Sequence, residues 1–369
     1  MTERERFLTV LGGGTPDKVP WFADLSYWFN ALRCRRFVPS PDKDIDHELI
    51  ALHSDVRAGI CKDLGAVIEP AYDSGGIEDI QHIEGDTFTW TLRTPIGELR
   101  EIRVYNESSF SWDIVKRMIE SPVDLPIIRY AMERKSFVPR FDRYSKIAGI
   151  CGVWGVPFAH GIPYSGLGFF MSRFMGVENT VYALADEPVE MAKTIALINE
   201  VNLTGIDLIC ESPAEVVLLS DNFSSDLQPP RLFNEFTASY VVKAAEKLHD
   251  AGKYLALHLD GRARGLLACF TGSGVDLVDA LTPKPTGDMT PAEIRDEAGP
   301  DIVLSGGVSP VYWLPERSDR EFVTHVREWL DLRRISPRLV MSDGDQVPPG
   351  TSIERIRLMR EIIDEYGLY

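Results

Sequence analysis

Short runs of consecutive apolar residues recur through the second half of the chain, and segments with one polar face separate them. Strands that are apolar on both sides are typical of a parallel sheet covered by helices on its two faces. From residue 146 onward the pattern predicts strands at residues 146–153, 206–210, 254–259, 275–281, 301–305 and 338–342.

Two more strands are predicted in the first half, at residues 19–25 and 66–70. Eight strands alternating with helices in a chain of 369 residues predict an α/β fold, a (β/α)8 or TIM barrel, in a single domain spanning residues 1–369. An open doubly wound sheet is the alternative. It would require a glycine-rich dinucleotide-binding turn after its first strand, and the sequence has none there.

Apolar positions at helical spacing predict an N-terminal helix at residues 2–12 that Gly12-Gly13-Gly14 ends. Residues 80–106 instead alternate apolar with polar positions around glycine-containing turns, which predicts an antiparallel hairpin inserted beside the barrel. The remaining helices are predicted at residues 44–63, 167–200, 228–252, 262–273, 290–298, 317–333 and 352–366.

The charge balance restricts the classes of partner. Lys and Arg number 39 against 56 Asp and Glu, which gives a net charge of −17. An acidic surface repels phosphate backbones and anionic lipids, so neither nucleic acid nor a membrane is expected as a partner. No apolar run approaches the roughly 18 residues of a bilayer span. The charged N-terminus does not resemble a signal peptide, so a cytoplasmic location is expected.

The stretch that bears the clearest chemistry is residues 254–262, in which a predicted strand ends at His258, Asp260 and Gly261. Residues i and i+2 of a strand point to the same side, so the imidazole and the carboxylate of Asp260 are expected together. This pair is a half-site for a divalent metal ion. The alternative is a histidine at a strand end and an aspartate that caps the next helix.

Other acidic residues follow predicted strands and are expected at the same mouth of the barrel, because the C-terminal strand ends carry the site in this fold. Asp345 is the candidate third metal ligand, with Asp343 as its competitor. Glu211, after the predicted fourth strand, is a candidate fourth ligand. The alternatives are a turn carboxylate for Asp345 and an ordinary acidic loop residue for Glu211.

Further polar residues are expected to line a substrate site at this mouth. Asp221 and Asn222 form a polar loop, Asp288 follows the predicted sixth strand, and His160 lies in a loop bounded by glycine and proline. The alternatives are turn or helix-cap roles for Asp221 and Asn222 and a helix cap for Asp288.

Three stretches, taken together, resemble the uroporphyrinogen decarboxylase superfamily: residues 4–11 with 15–20, residues 248–261 and residues 342–355. Their order and spacing extend the resemblance over nearly the whole chain. The resemblance implies a single (β/α)8 barrel, in agreement with the strand count.

The resemblance is closer to one branch of this superfamily than to the other. True uroporphyrinogen decarboxylases carry an Arg-Gln-Ala-Gly-Arg motif that grips the substrate carboxylates, and residues 23–33 here lack it. Tyr27, Trp28 and Phe29 stand there instead, and suit a smaller and less anionic substrate. The other branch contains zinc-dependent methyltransferases that work with corrinoids.

In that branch the zinc ligands are often a His-x-Cys pair and a later Cys. The matching positions here are His258, Asp260 and Asp345, so carboxylates replace both thiolates. The resemblance then implies a divalent metal cofactor, with zinc first among the candidates. It also implies catalytic roles for the same three residues.

The function expected from these features is that of a metal-dependent methyltransferase component, which transfers a methyl group between a small methylated substrate and a corrinoid. Ala256 stands where an Asp-x-His-x-x-Gly corrinoid motif has its aspartate, so the corrinoid is expected on a separate partner protein. Tyr27, Trp28, Phe29 and Trp154 are expected to form an apolar pocket wall.

Two other functions stay open. One is a metal-dependent decarboxylase or lyase of the uroporphyrinogen decarboxylase type that acts on a small carboxylated substrate. The other is a barrel that binds a small ligand without catalysis. The oligomeric state also stays open, a homodimer included.

Overall fold

The computed structural model describes residues 1–33, 47–61, 66–73, 75–160 and 162–369. Within these residues the strands form three separate sheets. In chain order the strands are β1 Ile68–Tyr72, β2 Glu78–Glu84, β3 Thr87–Thr94, β4 Gly97–Asn106, β5 Ser111–Lys116, β6 Lys135–Pro139, β7 Phe158–Ala159, β8 Val216–Phe223, β9 Tyr254–Leu259, β10 Leu277–Leu281, β11 Val303–Gly306 and β12 Leu339–Met341.

The largest sheet is a curled parallel sheet of six strands in the order β12-β11-β10-β9-β8-β7. Strands that are neighbours in this sheet are consecutive in the sequence. Strands β10, β11 and β12 are buried along their whole length. This burial explains their uninterrupted apolar sequences, and the strands predicted near residues 254, 275, 301 and 338 are confirmed.

Parallel pairing continues past both edges of this sheet as isolated bridges. Trp21 bridges Met341, Phe22 bridges Gly59, and Ile60 bridges Gly155, which leads into β7. The segment predicted as a strand at residues 19–25 therefore pairs at single positions. Pro20 has no N–H to donate, although its carbonyl accepts a bond from Met341 N, and the ladder is interrupted at this residue.

Helices separate the strands of the parallel sheet and cover its outer face. The predicted N-terminal helix is confirmed, and most of the other predicted helices are shorter than expected or divided. The α-helices are α1 Glu3–Leu11, α2 Ser26–Leu32, α3 His47–Val56, α4 Leu125–Met132, α5 Phe141–Cys151, α6 Gly166–Gly168, α7 Val177–Asp186, α8 Pro188–Cys210, α9 Pro230–Phe236, α10 Ala238–Asp250, α11 Leu267–Phe270, α12 Pro291–Ala298, α13 Asp319–Leu330 and α14 Ile353–Tyr366.

The strands predicted at residues 146–153 and 206–210 are wrong, because residues 146–151 and 206–210 form the ends of α5 and α8 and residues 152–153 belong to a short 3₁₀ helix. The true strands, β7 and β8, follow several residues later. A buried helix end carries an apolar run as continuous as that of a buried strand, so hydropathy does not separate the two. Residues that were expected just after the two mistaken strands therefore lie before β7 and β8.

The inserted part of the chain is larger than the predicted hairpin at residues 80–106. Strands β2 to β5 form a four-stranded antiparallel sheet, and a two-stranded ribbon pairs β1 with β6. The strand predicted at residues 66–70 belongs mainly to this ribbon, although Ala66 makes one parallel bridge to His160. The part of predicted helix 44–63 at residues 44–46 and 62–63 lies outside the described residues.

Buried apolar side chains form a main core between the parallel sheet and its helices, and a second cluster packs the inserted sheet against α4 and α8. Among the described cysteines, Cys151, Cys210 and Cys269 are free thiols, whereas Cys34 lies outside the described residues. None of the helices in the described part of the chain has the length and the apolar character needed to cross a bilayer.

Candidate functional site

His258 and Asp279 lie beside each other at the C-terminal part of the parallel sheet. The register of β9 against β10 pairs these two residues directly. His258 Nδ1 is 3.3 Å from Asp279 Oδ2, and Asp279 Oδ1 accepts a hydrogen bond of 3.2 Å from Ser305 Oγ on β11. Asp279 is almost completely buried. Neighbouring strands therefore fix the orientation of the imidazole ring.

The other ring nitrogen of His258 faces a second carboxylate. Its Nε2 atom is 3.5 Å from Oδ1 of Asp345, which lies in the loop after β12. This distance is longer than a normal N–H···O hydrogen bond of about 2.7–3.2 Å. The imidazole thus lies between the buried carboxylate of Asp279 and the carboxylate of Asp345, which belongs to a loop.

This geometry fits two adjacent ligands of one metal ion. Two ligands bound tetrahedrally at about 2.1 Å from zinc lie about 3.4 Å apart, close to the separation of His258 Nε2 from Asp345. A metal-binding histidine usually has its second ring nitrogen held by a carboxylate, which is the position of Asp279. In the part of the chain that the structure describes, no cluster of three or more His, Cys, Asp and Glu residues could hold an ion.

Asp260 lies one residue past the end of β9 and is exposed. Its backbone N–H donates to the carbonyl of Phe223, at the end of β8. Because the strand ends at Leu259, the alternation that predicted a shared face with His258 does not extend to Asp260.

Two predicted site residues lie at the opposite end of the sheet. Glu211 caps the C-terminus of α8 and Trp154 ends a short 3₁₀ helix, so each precedes the strand it was expected to follow. The structure therefore does not bring Glu211 or Trp154 to the end of the sheet that carries His258, where both were expected. The error has its origin in the two helix ends that were taken for strands.

The loop that carries Asp345 is bonded to Asp24, a buried residue that the sequence reasoning missed. Asp24 N donates to Asp343 Oδ2 at 3.0 Å, and Gln346 Nε2 donates to Asp24 Oδ2 at 2.9 Å. Asp343, the competing metal-ligand candidate, is buried in this arrangement. Its contact with the backbone of Asp24 leaves Asp345 as the carboxylate that faces His258.

The aromatic residues at positions 27–29 belong to α2, which follows Asp24. Trp28 is buried and its Nε1 donates to the carbonyl of Thr351, while the Tyr27 hydroxyl donates to the carbonyl of Ser109 in the inserted sheet. Burial raises the pKa of Tyr27. The helix α2 therefore links the loop after β12 to the turn between β4 and β5.

Asp221 and His160 stabilise the loops after β8 and β7. The buried Asp221 carboxylate accepts bonds from Ser165 N at 2.8 Å and Gln228 Nε2 at 3.2 Å, and its desolvation raises its pKa to about 6. The ring Nδ1 of His160 is 3.3 Å from Ser220 Oγ. Asn222 has a left-handed backbone, with φ of 49°.

Asp288 joins the loops after β9 and β10. Its Oδ1 atom accepts a 3.0 Å hydrogen bond from the backbone of Ala263. The alternative reading of Asp288 as the cap of the next helix is wrong, because Thr290 caps α12. Asp288 thus supports the loop that begins at Asp260.

Asp279 was also missed, although the sequence contains a signal for it. The apolar run of residues 275–281 contains two aspartates, Asp276 and Asp279, and Asp279 is the one that lies within β10. A buried charge is costly unless it is paired, so such a residue indicates a partner on a neighbouring strand. Only the register of the two strands identifies that partner as His258.

A family model described as uroporphyrinogen decarboxylase (URO-D) matches residues 169–366. No curated protein sequence matches the chain. Among solved structures, a methyltransferase from Methanosarcina mazei aligns with a TM-score of 0.63 at 15% sequence identity, over 99% of each chain. At this level of identity the likeness establishes a shared fold.

Proposed function

The chain belongs to the uroporphyrinogen decarboxylase (URO-D) family, and from this premise we propose that it is a metal-dependent methyltransferase component. It would transfer a methyl group between a small methylated substrate and a corrinoid carried by a separate protein. The description of the Methanosarcina mazei neighbour as a methyltransferase supports this choice within the family.

The observation that carries the proposal is the placement of His258 between Asp279 and Asp345. His258 Nε2 and Asp345 would hold a divalent ion, with zinc the first candidate. Asp279 would keep the ring in the tautomer that presents Nε2. Bound there, the ion would polarise the heteroatom of a methyl donor or lower the pKa of an acceptor.

Asp260 is proposed as the third protein ligand. Its exposed position just past β9 allows its side chain to change rotamer without disturbing the core. The carboxylates of Asp260 and Asp345 would each bring negative charge, which makes this ligand set harder than one with thiolates but still suited to zinc.

The substrate proposal follows from what residues 23–33 contain. Buried Trp28 and Phe29 and half-buried Tyr27 supply apolar surface. Within residues 23–33 the only charged residues are Asp24 and Arg33. Burying unpaired carboxylates is costly, so an anionic porphyrinogen fits poorly and a small methoxy, methylthio or methylamino compound fits better. We propose that Asn222, Asp288 and His160 border this site.

Metal content tests the ligand assignment. Protein purified without chelator should contain about one equivalent of a divalent metal, and His258→Ala and Asp345→Ala should each lose it while remaining folded. The matched control is His249→Ala, which removes an exposed histidine paired with Asp276 and should keep the metal. Retention of the metal by the His258 variant would refute the assignment.

A donor screen with cob(I)alamin tests the reaction, because the methyl–cobalt product has a distinct visible spectrum. Methylation by a methoxy, methylthio or methylamino compound should require metal and His258. Uroporphyrinogen should not be decarboxylated, and efficient turnover of it would overturn the proposal.

A second candidate is a decarboxylase or lyase that acts on a small carboxylated substrate. The observation that favours it is the row Asp279, His258 and Asp345, which can also hold and pass a proton. Decarboxylation of a small acid, together with silence across the methyl donors in the presence of a corrinoid protein, would select this candidate.

Family membership also supports a proposal about the fold. The six-stranded sheet, with the bridged segments at residues 21–22 and 59–60, would be an eight-stranded (β/α)8 barrel in one domain. With its acidic surface the protein would act in the cytoplasm, and the corrinoid protein would dock over the end of the sheet that carries His258.

A further inference from the structure

We propose that Asp24 is a positioning residue that holds Asp345 opposite His258. The inference rests on the proposed function of that site and adds a residue that acts without touching the metal or the substrate. Asp24 lies at the end of the segment that bridges β12, two residues before Ser26, the first residue of α2.

Three hydrogen bonds join Asp24 to the loop that carries Asp345. Its backbone N–H donates to Asp343 Oδ2 at 3.0 Å, its carbonyl accepts from Val347 N at 3.1 Å, and its Oδ2 accepts from Gln346 Nε2 at 2.9 Å. These bonds reach residues on both sides of Asp345. The position of residue 345 is therefore set from both directions along the chain.

The second carboxylate oxygen of Asp24 fixes the carboxylate itself. Oδ1 accepts from the backbone N–H of Ser26 at 2.9 Å and from its hydroxyl at 2.6 Å. Both Asp24 and Ser26 are buried. Because Oδ1 is anchored to the start of α2, Oδ2 is presented to Gln346 in one orientation.

A second tether strengthens the connection between α2 and this loop. Trp28 Nε1 donates to the carbonyl of Thr351 at 2.8 Å. The loop at residues 343–351 is thus bonded at two places to the segment that comprises Asp24 and α2. A carboxylate placed about 1 Å from its required position can cost on the order of 100-fold in rate, so this rigidity matters for Asp345.

An exchange of the two side chains tests the arrangement. Gln346→Glu would place two carboxylates at hydrogen-bonding distance, and their repulsion should displace the loop. Asp24→Asn alone should be mild, because the Gln346 amide can turn to accept a bond. The double variant D24N/Q346E restores an amide–carboxylate pair with its polarity reversed, and should restore the loop. Gln81→Glu, on exposed strand β2, is the matched control.

Two measurements should follow the same order across the variants. Backbone hydrogen exchange of residues 342–351 should rise in Q346E and return to the native level in the double variant. The affinity for Co²⁺, followed by its visible absorption, should fall about 10–100-fold in Q346E and recover to within about threefold in the double variant. Q81E should match the native protein in both measurements.

The outcomes separate this inference from the proposed function. Unchanged exchange in Q346E, or no recovery in the double variant, would overturn the role of Asp24. The predicted exchange pattern in a protein that binds no Co²⁺ would establish the role of Asp24 in placing Asp345 and would overturn the metal site instead.

Discussion

At the scale of single residues, His258 obtains its character from two carboxylates that are distant in the sequence. Asp279 is buried and reaches His258 from the neighbouring strand, while Asp345 reaches it from a loop. An imidazole with a carboxylate on Nδ1 is held in one tautomer and is more basic at Nε2. The ring is thereby prepared to bind an ion or to exchange a proton.

Asp279→Asn should weaken the hold on the His258 tautomer without removing a metal ligand. The amide cannot carry the negative charge that favours the Nδ1–H tautomer, so we expect a loss of about 10–100-fold in metal affinity and in activity. Ser305→Ala removes only one hydrogen bond to Asp279 and should cost less. Equal affinities in D279N and the native protein, measured by chelator competition, would show that Asp279 does not orient His258.

Lys135 should be unusually reactive for a lysine. Its ammonium lies 5.1 Å from the ring centre of Phe137 and 5.9 Å from that of Phe169, and burial lowers its pKa to about 8 although the charge of Asp79 opposes the shift. Modification by an amine-specific reagent, followed by mass spectrometry, should rise with a midpoint near pH 8. Exposed Lys243 is the reference, and a shared midpoint for the two would contradict the prediction.

At the scale of elements, the loop after β7 depends on one close packing contact. The helix α6 continues into a π-helix at Phe169–Phe174, and its first turn lies directly against the carboxylate of Asp221. A Cβ atom at Gly168 would lie 1.5 Å from Asp221 Oδ1. Only glycine therefore lets this segment pack where it does.

Gly168→Ala should lower the free energy of unfolding by about 1–3 kcal/mol or more, because the added methyl group forces α6 away from β8. Gly149→Ala is the matched control, since Gly149 is an exposed residue of helix α5 and its added methyl group meets nothing within 4 Å. That control should gain up to about 1 kcal/mol through helix propensity. Denaturant unfolding of both variants checks the prediction, and equal stabilities would contradict it.

At the scale of the whole molecule, the buried Asp221 should make the stability depend on pH. Its desolvated carboxyl has a pKa of about 6, above the ordinary value of 3.8. Between these two values the native state holds a proton that the unfolded state has lost. The contribution of this group to stability is therefore complete below about pH 4 and is lost as the pH rises through 6.

Asp221→Asn should flatten this dependence. The native protein is expected to lose up to roughly 3 kcal/mol of unfolding free energy from this group between pH 4 and 7, and the variant should lack that slope. Two donors point at residue 221, so the amide should also lower stability at every pH. Asp207→Asn, on the exposed face of α8, is the control for net charge. Parallel pH profiles for the native protein and D221N would contradict the prediction.

The sequence by itself determined the strands near residues 254, 275, 301 and 338, the N-terminal helix, and the position of His258 at a strand end. These features depend on local patterns, because a run of apolar residues followed by glycine reports burial and a turn within a few positions. The resemblance to the family was visible for the same reason, since it is carried by short stretches in a fixed order.

Only the tertiary structure decided which residues meet. Hydropathy reports that a segment is buried but not whether it is a helix end or a strand, and this ambiguity moved Glu211 and Trp154 to the wrong end of the sheet. The partnership of His258 with Asp279 depends on strand register, and the bonds from Asp24 to the loop around Asp345 join positions more than 300 residues apart. Such contacts depend on how the whole chain packs, which no local pattern encodes.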